Sequence, residues 1–446
     1  MLLRKLFRTA WKYKAQFISM IIMVAIGVGI FVGFNMEWYS LEKDTGAFLT
    51  ETNYADYRLI NEQGFSEDDI AHIKDIDGVT AATRVLNVNV DVKDRNKSLA
   101  LFVLEEYTVS TMHVVSGKDY DKSSEGFWLS DKYAAKNGVH IGDTLTVTYR
   151  NIAISGEVVG LVKSGEFMIC VSGNAQLMPD FTSFGFAYAS PEKIKSALGG
   201  IIFYPQINVL SNLEKTQIEQ AVKTALGKTT LILGKEENTS YAAAQSEIEE
   251  GKTMVSVLPV LFLLIGVLTM ITTMHRLTAN EKTQIGTLKA LGFKNGKILR
   301  HYTSYGLFIG IVGAVLGVAL GYGICALVVN PNGMQGTYFD MPHWGLYAPW
   351  WTWLLLVGMI AFLTLISYLS VKKMLKGTAA DALRPYVPKK VKPLAIEKAK
   401  VWNKMSFATK WNLRDVFRHK TRSLMTLLGV IGCMLLLVGG LGMRDT

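Results

Sequence analysis

Five stretches of this sequence are long and apolar enough to cross a lipid bilayer as helices. A helix of about 20 apolar residues spans the ~30 Å hydrocarbon core of a membrane, and none of the five stretches contains Asp, Glu, Lys or Arg. A soluble protein seldom buries five such uncharged helices, so we expect an α-helical integral membrane protein. The stretches cover residues 17–36, 254–274, 302–328, 350–371 and 424–443.

The first stretch follows a basic segment, as the apolar part of a signal peptide does. It is long, however, and no clear small-residue cleavage site ends it. We therefore interpret residues 1–36 as an amphipathic N-terminal helix followed by a retained membrane helix.

The positions of Lys and Arg predict the orientation of the helices. Residues 275–301 contain six basic residues, whereas residues 330–349 contain none. Basic connections stay in the cytoplasm, so the N-terminus, 275–301 and 372–423 are predicted to be cytoplasmic, with 37–252 and 330–349 outside. The net charge of +10 is then explained by the inner face of a plasma or inner membrane, and no nucleic acid is needed.

Residues 37–252 have the pattern of an extracytoplasmic α+β domain inserted between the first two membrane helices. Strand, helix and strand patterns follow one another in 56–92 and again in 206–234, and a β-rich stretch separates the two. Ser66 and Ser190 have the sequence context of helix N-caps. The pattern predicts a discontinuous α+β lobe split by a β-rich insertion, with a helical stalk that leads into the second membrane helix.

Familiar catalytic and ligand-binding motifs are absent from this domain. The stretches at 227–229 and 251–253 read GKT, but Val222 and Ser246 stand where a phosphate-binding loop needs its first Gly. Neither a GxSxG nor an HExxH motif occurs, and the exterior histidines have no ligand spacing. We therefore predict no catalytic, cofactor-binding or metal site in the chain. These histidines are His72, His113 and His140.

The segment EKTQIGTLKALGFKNGKILRHY, residues 281–302, lies between two apolar stretches and reads as a helix, a turn and a second helix. On a helical wheel, Ile285, Leu288 and Leu291 share one side. Such a helix can dock into a cytoplasmic partner or lie on lipid, and the pattern alone leaves both open. The opposite side is predicted to be a smooth face of small residues: Thr283, Gly286, Thr287 and Ala290.

Residues 276–321 closely resemble the core of the FtsX/MacB-like ABC transporter permeases. In that family the segment is a coupling helix, here 281–292, that docks on the ATP-binding subunit; many members have Glu where Gln284 stands. The stretch GFWLSDKYAAKNGVHIGDTLTV also resembles part of the MacB-like periplasmic core. The residues that the resemblance assigns to ATPase coupling are Glu281, Lys282, Gln284, Ile285, Gly286, Leu288, Lys289, Ala290, Leu291 and Gly292.

The resemblance implies the permease subunit of an ABC transporter. Such a subunit couples ATP hydrolysis on a separate, dimeric cytoplasmic ATPase to conformational work of its exterior domain, known as mechanotransmission. The expected outcome is export or extraction of a peptide, lipoprotein or lipid-like substrate, or action on an exterior hydrolase. ATP and Mg would bind the ATPase, and no cofactor or enzyme activity is expected here. The alternative is a membrane-anchored sensor or adaptor that controls a cell-envelope enzyme or signalling partner without transport.

Two further patterns concern the membrane helices. Gly313, Gly317 and Gly321 lie on one face of the third stretch, where small residues let helices pack closely. Residues 7–27 align with 413–432, so we expect 413–446 to begin a second permease module of a larger chain, with a five-span protein as the alternative. The predicted divisions are 1–36, 37–252, a permease core at 253–375, a cytoplasmic linker at 376–412, and 413–446.

Overall fold

A computed structural model describes residues 2–375 apart from 94–96, 151, 174, 175 and 177, together with 379, 405–418 and four isolated positions between 427 and 438. The chain forms two compact units. The first contains 1–35, 253–324 and the described part of 348–446; the second contains 36–252 and 325–347.

Helices and strands are numbered here in chain order. The helices are α1 Leu2–Lys12, α2 Lys14–Glu51, α3 Glu67–Lys74, α4 Asp131–Asn137, α5 Pro191–Leu198, α6 Lys215–Leu226, α7 Thr239–Asn280, α8 Lys282–Ala290, α9 Asn295–Val328, α10 Met334–Tyr338, α11 Trp350–Met374 and α12 Phe407–Arg418. The strands are β1 Tyr57–Ile60, β2 Val79–Val92, β3 Lys97–Leu104, β4 Met112–Gly117, β5 Phe127–Ser130, β6 Thr144–Tyr149, β7 Ile152–Ser164, β8 Phe184–Ala189, β9 Gln206–Ser211 and β10 Leu231–Gly234.

Four of the described helices are long and apolar enough to span a membrane. They coincide with the first four apolar stretches, which confirms a membrane protein of the α-helical class. The fifth stretch, 424–443, lies outside the described residues apart from isolated positions. The candidate spans are Lys14–Glu51, Thr239–Asn280, Asn295–Val328 and Trp350–Lys372.

The first unit is helical and has an apolar core at the end that carries α1 and α8. Side chains from α1, α2, α7, α8, α9 and α11 pack together there, and three of its aromatic rings meet edge to face. The members of this cluster include Leu6, Phe17, Leu277, Ile285, Ile298, Tyr302, Tyr305 and Val371. The core therefore fixes α8 against the ends of the long helices.

The second unit is built on a ten-stranded sheet whose first four positions run β10-β1-β9-β2. Strand β1 pairs antiparallel with β9 on one side and with β10 on the other, and β2 pairs with the far side of β9. This interleaved order is that of the split βαβ, ferredoxin-like motif. Helices α3 and α6 supply apolar side chains to the same core. The predicted discontinuous lobe is therefore confirmed.

The β-rich insertion continues the same sheet through β3, β8, β5, β7 and β4. Its core contains large, fully buried rings such as Phe127, Trp128 and Tyr188. Both predicted N-caps are present: Ser66 forms a capping box with Asp69, and Ser190 accepts from the amide of Lys193. The second unit is thus an α+β domain, as expected.

Residues 325–347 belong to this second unit, although the sequence pattern assigned them to the end of the third apolar stretch and to the connection that follows it. Asp340 is 1% exposed and forms an ion pair with Lys163, which also lies 2.8 Å from Asp131. Burial raises the pKa of Asp340; for Lys163, burial is outweighed by the two carboxylates, which raise its pKa above the ordinary value. Lys132 adds hydrogen bonds to two carbonyls of the connection. This charged cluster anchors the connection to β7 and α4.

Candidate functional site

The segment predicted to couple to an ATPase begins where α7 ends. The chain turns at Glu281, and α8 then runs for nine residues. Gly292 follows with a φ of 80°, a backbone conformation that residues with a side chain rarely adopt. The observed helix, Lys282–Ala290, therefore lies inside the predicted range 281–292 and stops before Leu291.

Glu281 faces the interior of the first unit. Its side chain is 2% exposed and accepts a hydrogen bond of 2.6 Å from the phenol of Tyr302. Thr9 lies 3.5 Å from its other carboxylate oxygen, and the ammonium of Lys5 is 3.8 Å away. The carboxylate thus joins α1 and α9 at the junction of α7 and α8, so an ATPase could not reach it without rearrangement of this junction.

The two faces expected for α8 are only partly correct. Ile285 is buried and Leu288 packs against the apolar core, so these two share one side of the helix, as predicted. Gly286 is also buried, whereas Leu291 is 70% exposed. The wheel failed at Leu291 because the helix has already ended there, so helical periodicity no longer sets the direction of the side chain.

Lys289 is directed toward its own chain. Its ammonium donates a hydrogen bond of 2.8 Å to the carbonyl of Leu375, the residue that follows α11. A cation at the C-terminal end of a helix stabilises both the unpaired carbonyls and the helix dipole. Lys289 therefore fastens α8 to the end of α11.

The exposed members of the predicted coupling set form a strip together with Thr283, Thr287 and Phe293, and we call this strip the α8 surface. Leu291 is 70% and Phe293 is 40% exposed, and basic side chains follow at Lys294 and Lys297. Neighbouring apolar side chains that stay exposed can mark a protein contact. The α8 surface consists of Lys282, Thr283, Gln284, Thr287, Ala290, Leu291, Gly292 and Phe293.

The three glycines of α9 face α2 at very short range. A Cβ on Gly317 would lie 2.5 Å from the Cβ of Val28, and one on Gly313 would lie 2.7 Å from that of Val24. At Gly321 a Cβ would meet the backbone of Gly29 at 2.9 Å. The absence of side chains here permits close contact between the two helix backbones.

The two GKT stretches have local structures that differ from a phosphate-binding loop. Gly227 ends α6 with a φ of 63°, and Lys228 pairs with Asp69 at 2.5 Å. Lys252 lies within α7 and pairs with Glu42 at 2.7 Å. In a P-loop the lysine instead precedes a helix and reaches a phosphate, so this geometry agrees with setting both stretches aside.

Known proteins resemble the chain in two ways. Residues 256–379 match the model of the family described as FtsX-like permease C-terminal. An uncharacterized ABC transporter permease of Methanocaldococcus jannaschii is 24% identical over 331 residues, which are 69% of this chain and 75% of that protein.

Two solved structures are also similar, with low scores. One is the extracellular domain of the noncanonic ABC-type transporter YknZ from Gram-positive bacteria, at 15% identity and a TM-score of 0.28, covering 40% of this chain and 97% of that one. The other is the periplasmic region of MacB from Actinobacillus actinomycetemcomitans, at 14% identity and a TM-score of 0.29, covering 45% of this chain and 95% of that one. The sequence matches are therefore the stronger evidence: residues 256–379 match an FtsX-like permease domain, and the chain is similar to an ABC transporter permease over 331 residues.

Proposed function

We propose that this permease transmits conformational work from a cytoplasmic ABC ATPase dimer to its own α+β domain. The observation that carries the proposal is the α8 surface, an exposed strip that includes Lys282, Leu291 and Phe293 and lies on and just after a short helix packed against its neighbours. In this mechanism ATP and Mg bind the ATPase, and the exterior domain acts on a peptide, lipoprotein or lipid-like molecule.

Burial divides the predicted coupling residues, together with Phe293, into two roles. Glu281, Ile285 and Lys289 hold α8 in place through the contacts described above. Leu291 and Phe293 project outward and supply apolar area for the ATPase. A force that the ATPase exerts on Leu291 and Phe293 would therefore reach the helix bundle through Glu281, Ile285 and Lys289.

The long helices offer a route for that movement. Helix α7 runs from Thr239 to Asn280 with Pro259 inside it, and α8 begins two residues later. Residues at its start belong to the second compact unit and residues at its end to the first. A helix transmits axial displacement along its hydrogen-bonded turns, so we propose α7 as the connection between α8 and the α+β domain.

Photocrosslinking tests the partner directly. A benzoylphenylalanine residue is placed at Leu291, and a control is placed at Ile152, which is 41% exposed in the second unit. We expect Leu291, and not Ile152, to crosslink to a protein that contains a nucleotide-binding motif. If the two sites yield the same products, or Leu291 yields no ATPase, the chain fits the sensor or adaptor alternative better.

Thiol labelling tests the orientation that the proposal requires. Single cysteines at Thr287 and at Thr146 are introduced after the native cysteines are replaced by alanine. A membrane-impermeant maleimide applied to intact cells should label Thr146→Cys and leave Thr287→Cys unlabelled until the membrane is opened. The reverse pattern would place α8 outside and remove the basis for ATPase coupling.

A further inference from the structure

Three side chains with no part in the proposed coupling come together in the second unit. Glu51 is the last residue of α2, His113 lies in β4, and His343 lies between α10 and α11. Nδ1 of His113 is 2.5 Å from one carboxylate oxygen of Glu51, and Nε2 of His343 is 3.3 Å from the other. All three ligand atoms lie within 4.8 Å of one another. Two imidazoles and a carboxylate thus face a common point.

The backbone around Glu51 and His113 is fixed by main-chain hydrogen bonds. The amide of Thr111 donates to the carbonyl of Thr52 at 2.8 Å, which joins the start of β4 to the end of α2. His113 itself is paired with Lys163 in the β4–β7 ladder. The first two ligands are therefore held by secondary structure.

The segment that carries His343 is anchored on both sides. The amide of Asp340 donates to the carbonyl of Met168 at 2.8 Å, and the amide of Gly345 donates to the carboxylate of Asp44 at 2.7 Å. A site whose ligands sit on independently supported backbone loses little entropy when an ion binds.

We propose that Glu51, His113 and His343 bind one Zn²⁺ ion, with a water molecule in the fourth position. Two imidazoles and a carboxylate are a donor set that zinc accepts, at bond lengths of about 2.0–2.1 Å. In a tetrahedral site such bonds place ligand atoms about 3.3 Å apart, so the side chains must shift by on the order of 1 Å. The side chains are 24–52% exposed, which leaves room for this shift and a path for the ion.

Zinc at this position would join segments that are far apart in the chain. Glu51 and His343 are separated by 292 positions, and β4 supplies the third ligand. Binding to the folded state alone stabilises that state by mass action. The ion would therefore secure the 330–349 connection to the α+β domain at a second point, C-terminal to the Asp340 anchor.

Zinc titration of the full chain in detergent tests the proposal. The affinity tag is removed, the protein is stripped with EDTA and dialysed, and ZnCl₂ is added in a calorimeter; Co²⁺ absorption reports the coordination. Wild type and His140→Ala, whose exposed imidazole lies elsewhere in the domain, should bind about one ion per chain with the same affinity. His343→Ala and the double variant His113→Ala/His343→Ala should bind at least tenfold more weakly and lose the bands of four- or five-coordinate Co²⁺.

Folding of the variants is checked by circular dichroism and size exclusion. His343 is half exposed, so its replacement by alanine should leave both profiles unchanged. Equal zinc affinity in wild type and the folded double variant would overturn the proposal and leave only a hydrogen-bonded Glu–His cluster. Equal losses in His140→Ala and His343→Ala would also overturn it, because binding would then be nonspecific. Neither result bears on ATPase docking.

Discussion

The phenol of Tyr302 donates a hydrogen bond of 2.6 Å to the carboxylate of Glu281, which is almost fully buried. Tyr302 belongs to α9, and Glu281 occupies the turn between α7 and α8. Because α1 also approaches this carboxylate through Thr9, one acidic group joins three parts of the helical unit. The direction of α8 depends on this junction.

Replacing Tyr302 by Phe should destabilise the helical unit. The change removes a donor to a buried carboxylate, a loss of about 1.5–3 kcal/mol for a hydrogen bond to a charged group. The apparent Tm of the chain in detergent, followed by circular dichroism, should therefore fall. Tyr322→Phe is the matched control, since Tyr322 lies in the same helix and is 37% exposed. Equal Tm values for the two variants would contradict the role given to Glu281.

Replacing Leu291 by Asp should weaken ATPase binding at least tenfold and leave the fold intact. Leu291 is 70% exposed, so a charge there costs little in the free chain but would be desolvated in a docked interface. The measurement is the affinity of the purified ATPase for the permease in nanodiscs. Ile152→Asp, at an exposed apolar position of the α+β domain, should bind like wild type. An unchanged affinity for Leu291→Asp would exclude the α8 surface as the docking site.

Replacing Gly317 by Val should disrupt the contact between α2 and α9. The new Cβ alone would lie 2.5 Å from the Cβ of Val28, and overpacking of this kind typically costs about 1–3 kcal/mol. Gly323→Val is the control, because a Cβ on Gly323 meets nothing within 4 Å. The Tm in detergent should fall for Gly317→Val and stay near wild type for Gly323→Val. A similar fall in both would indicate a general effect of β-branching in the helix.

Replacing Asp340 by Asn should destabilise the α+β domain more than the loss of a surface ion pair. Breaking a buried pair from one side costs about 3–5 kcal/mol because an uncompensated charge stays buried; Asp131 remains beside Lys163 and reduces that cost. Glu192→Gln removes an exposed pair with Lys195, which is worth about 0–1 kcal/mol. Thermal unfolding of the full chain measures the loss of stability in both variants. Equal Tm values for Asp340→Asn and Glu192→Gln would contradict the role of Asp340 as an anchor.

The pH dependence of stability should include a contribution from Asp69. Burial opposes its ionisation, but Lys228 and the capping contacts with Ser66 outweigh burial and hold the pKa of Asp69 below its ordinary value of 3.8. A carboxylate with a depressed pKa stabilises the fold above its unfolded pKa and loses that effect as the pH falls through the folded value. The difference in Tm between wild type and Asp69→Asn should therefore shrink below about pH 4. A difference that stays constant from pH 6 to pH 3 would contradict this.

Local signals in the sequence were sufficient to predict most of the individual helices and strands. Uncharged apolar stretches located four helices, and Ser66 and Ser190 marked helix starts because an N-cap satisfies nearby amides of its own helix. Gly199 ends α5 with a φ of 80°, a conformation that glycine adopts readily. These features depend on neighbours within a few positions, so they can be identified without a tertiary structure.

Contacts between distant segments could not be predicted in this way. The partner of Lys289 is a carbonyl 86 positions away, and helical periodicity does not indicate which end of which helix lies nearby. The exterior histidines were set aside for the same reason, since His113 meets His343 only through the packing of the connection. Residue type alone showed that Glu281 was charged, and only its neighbours showed that it was buried.

The interleaved sheet has a consequence for the biogenesis of the protein. Strand β1 is made early, but both of its hydrogen-bonding neighbours, β9 and β10, follow only after residue 205. At typical rates of synthesis β1 waits roughly seven to thirty-five seconds for them. During that interval its two edges are open to other chains, so a nascent chain stalled before Gln206 is the form that we expect chaperones to recognise.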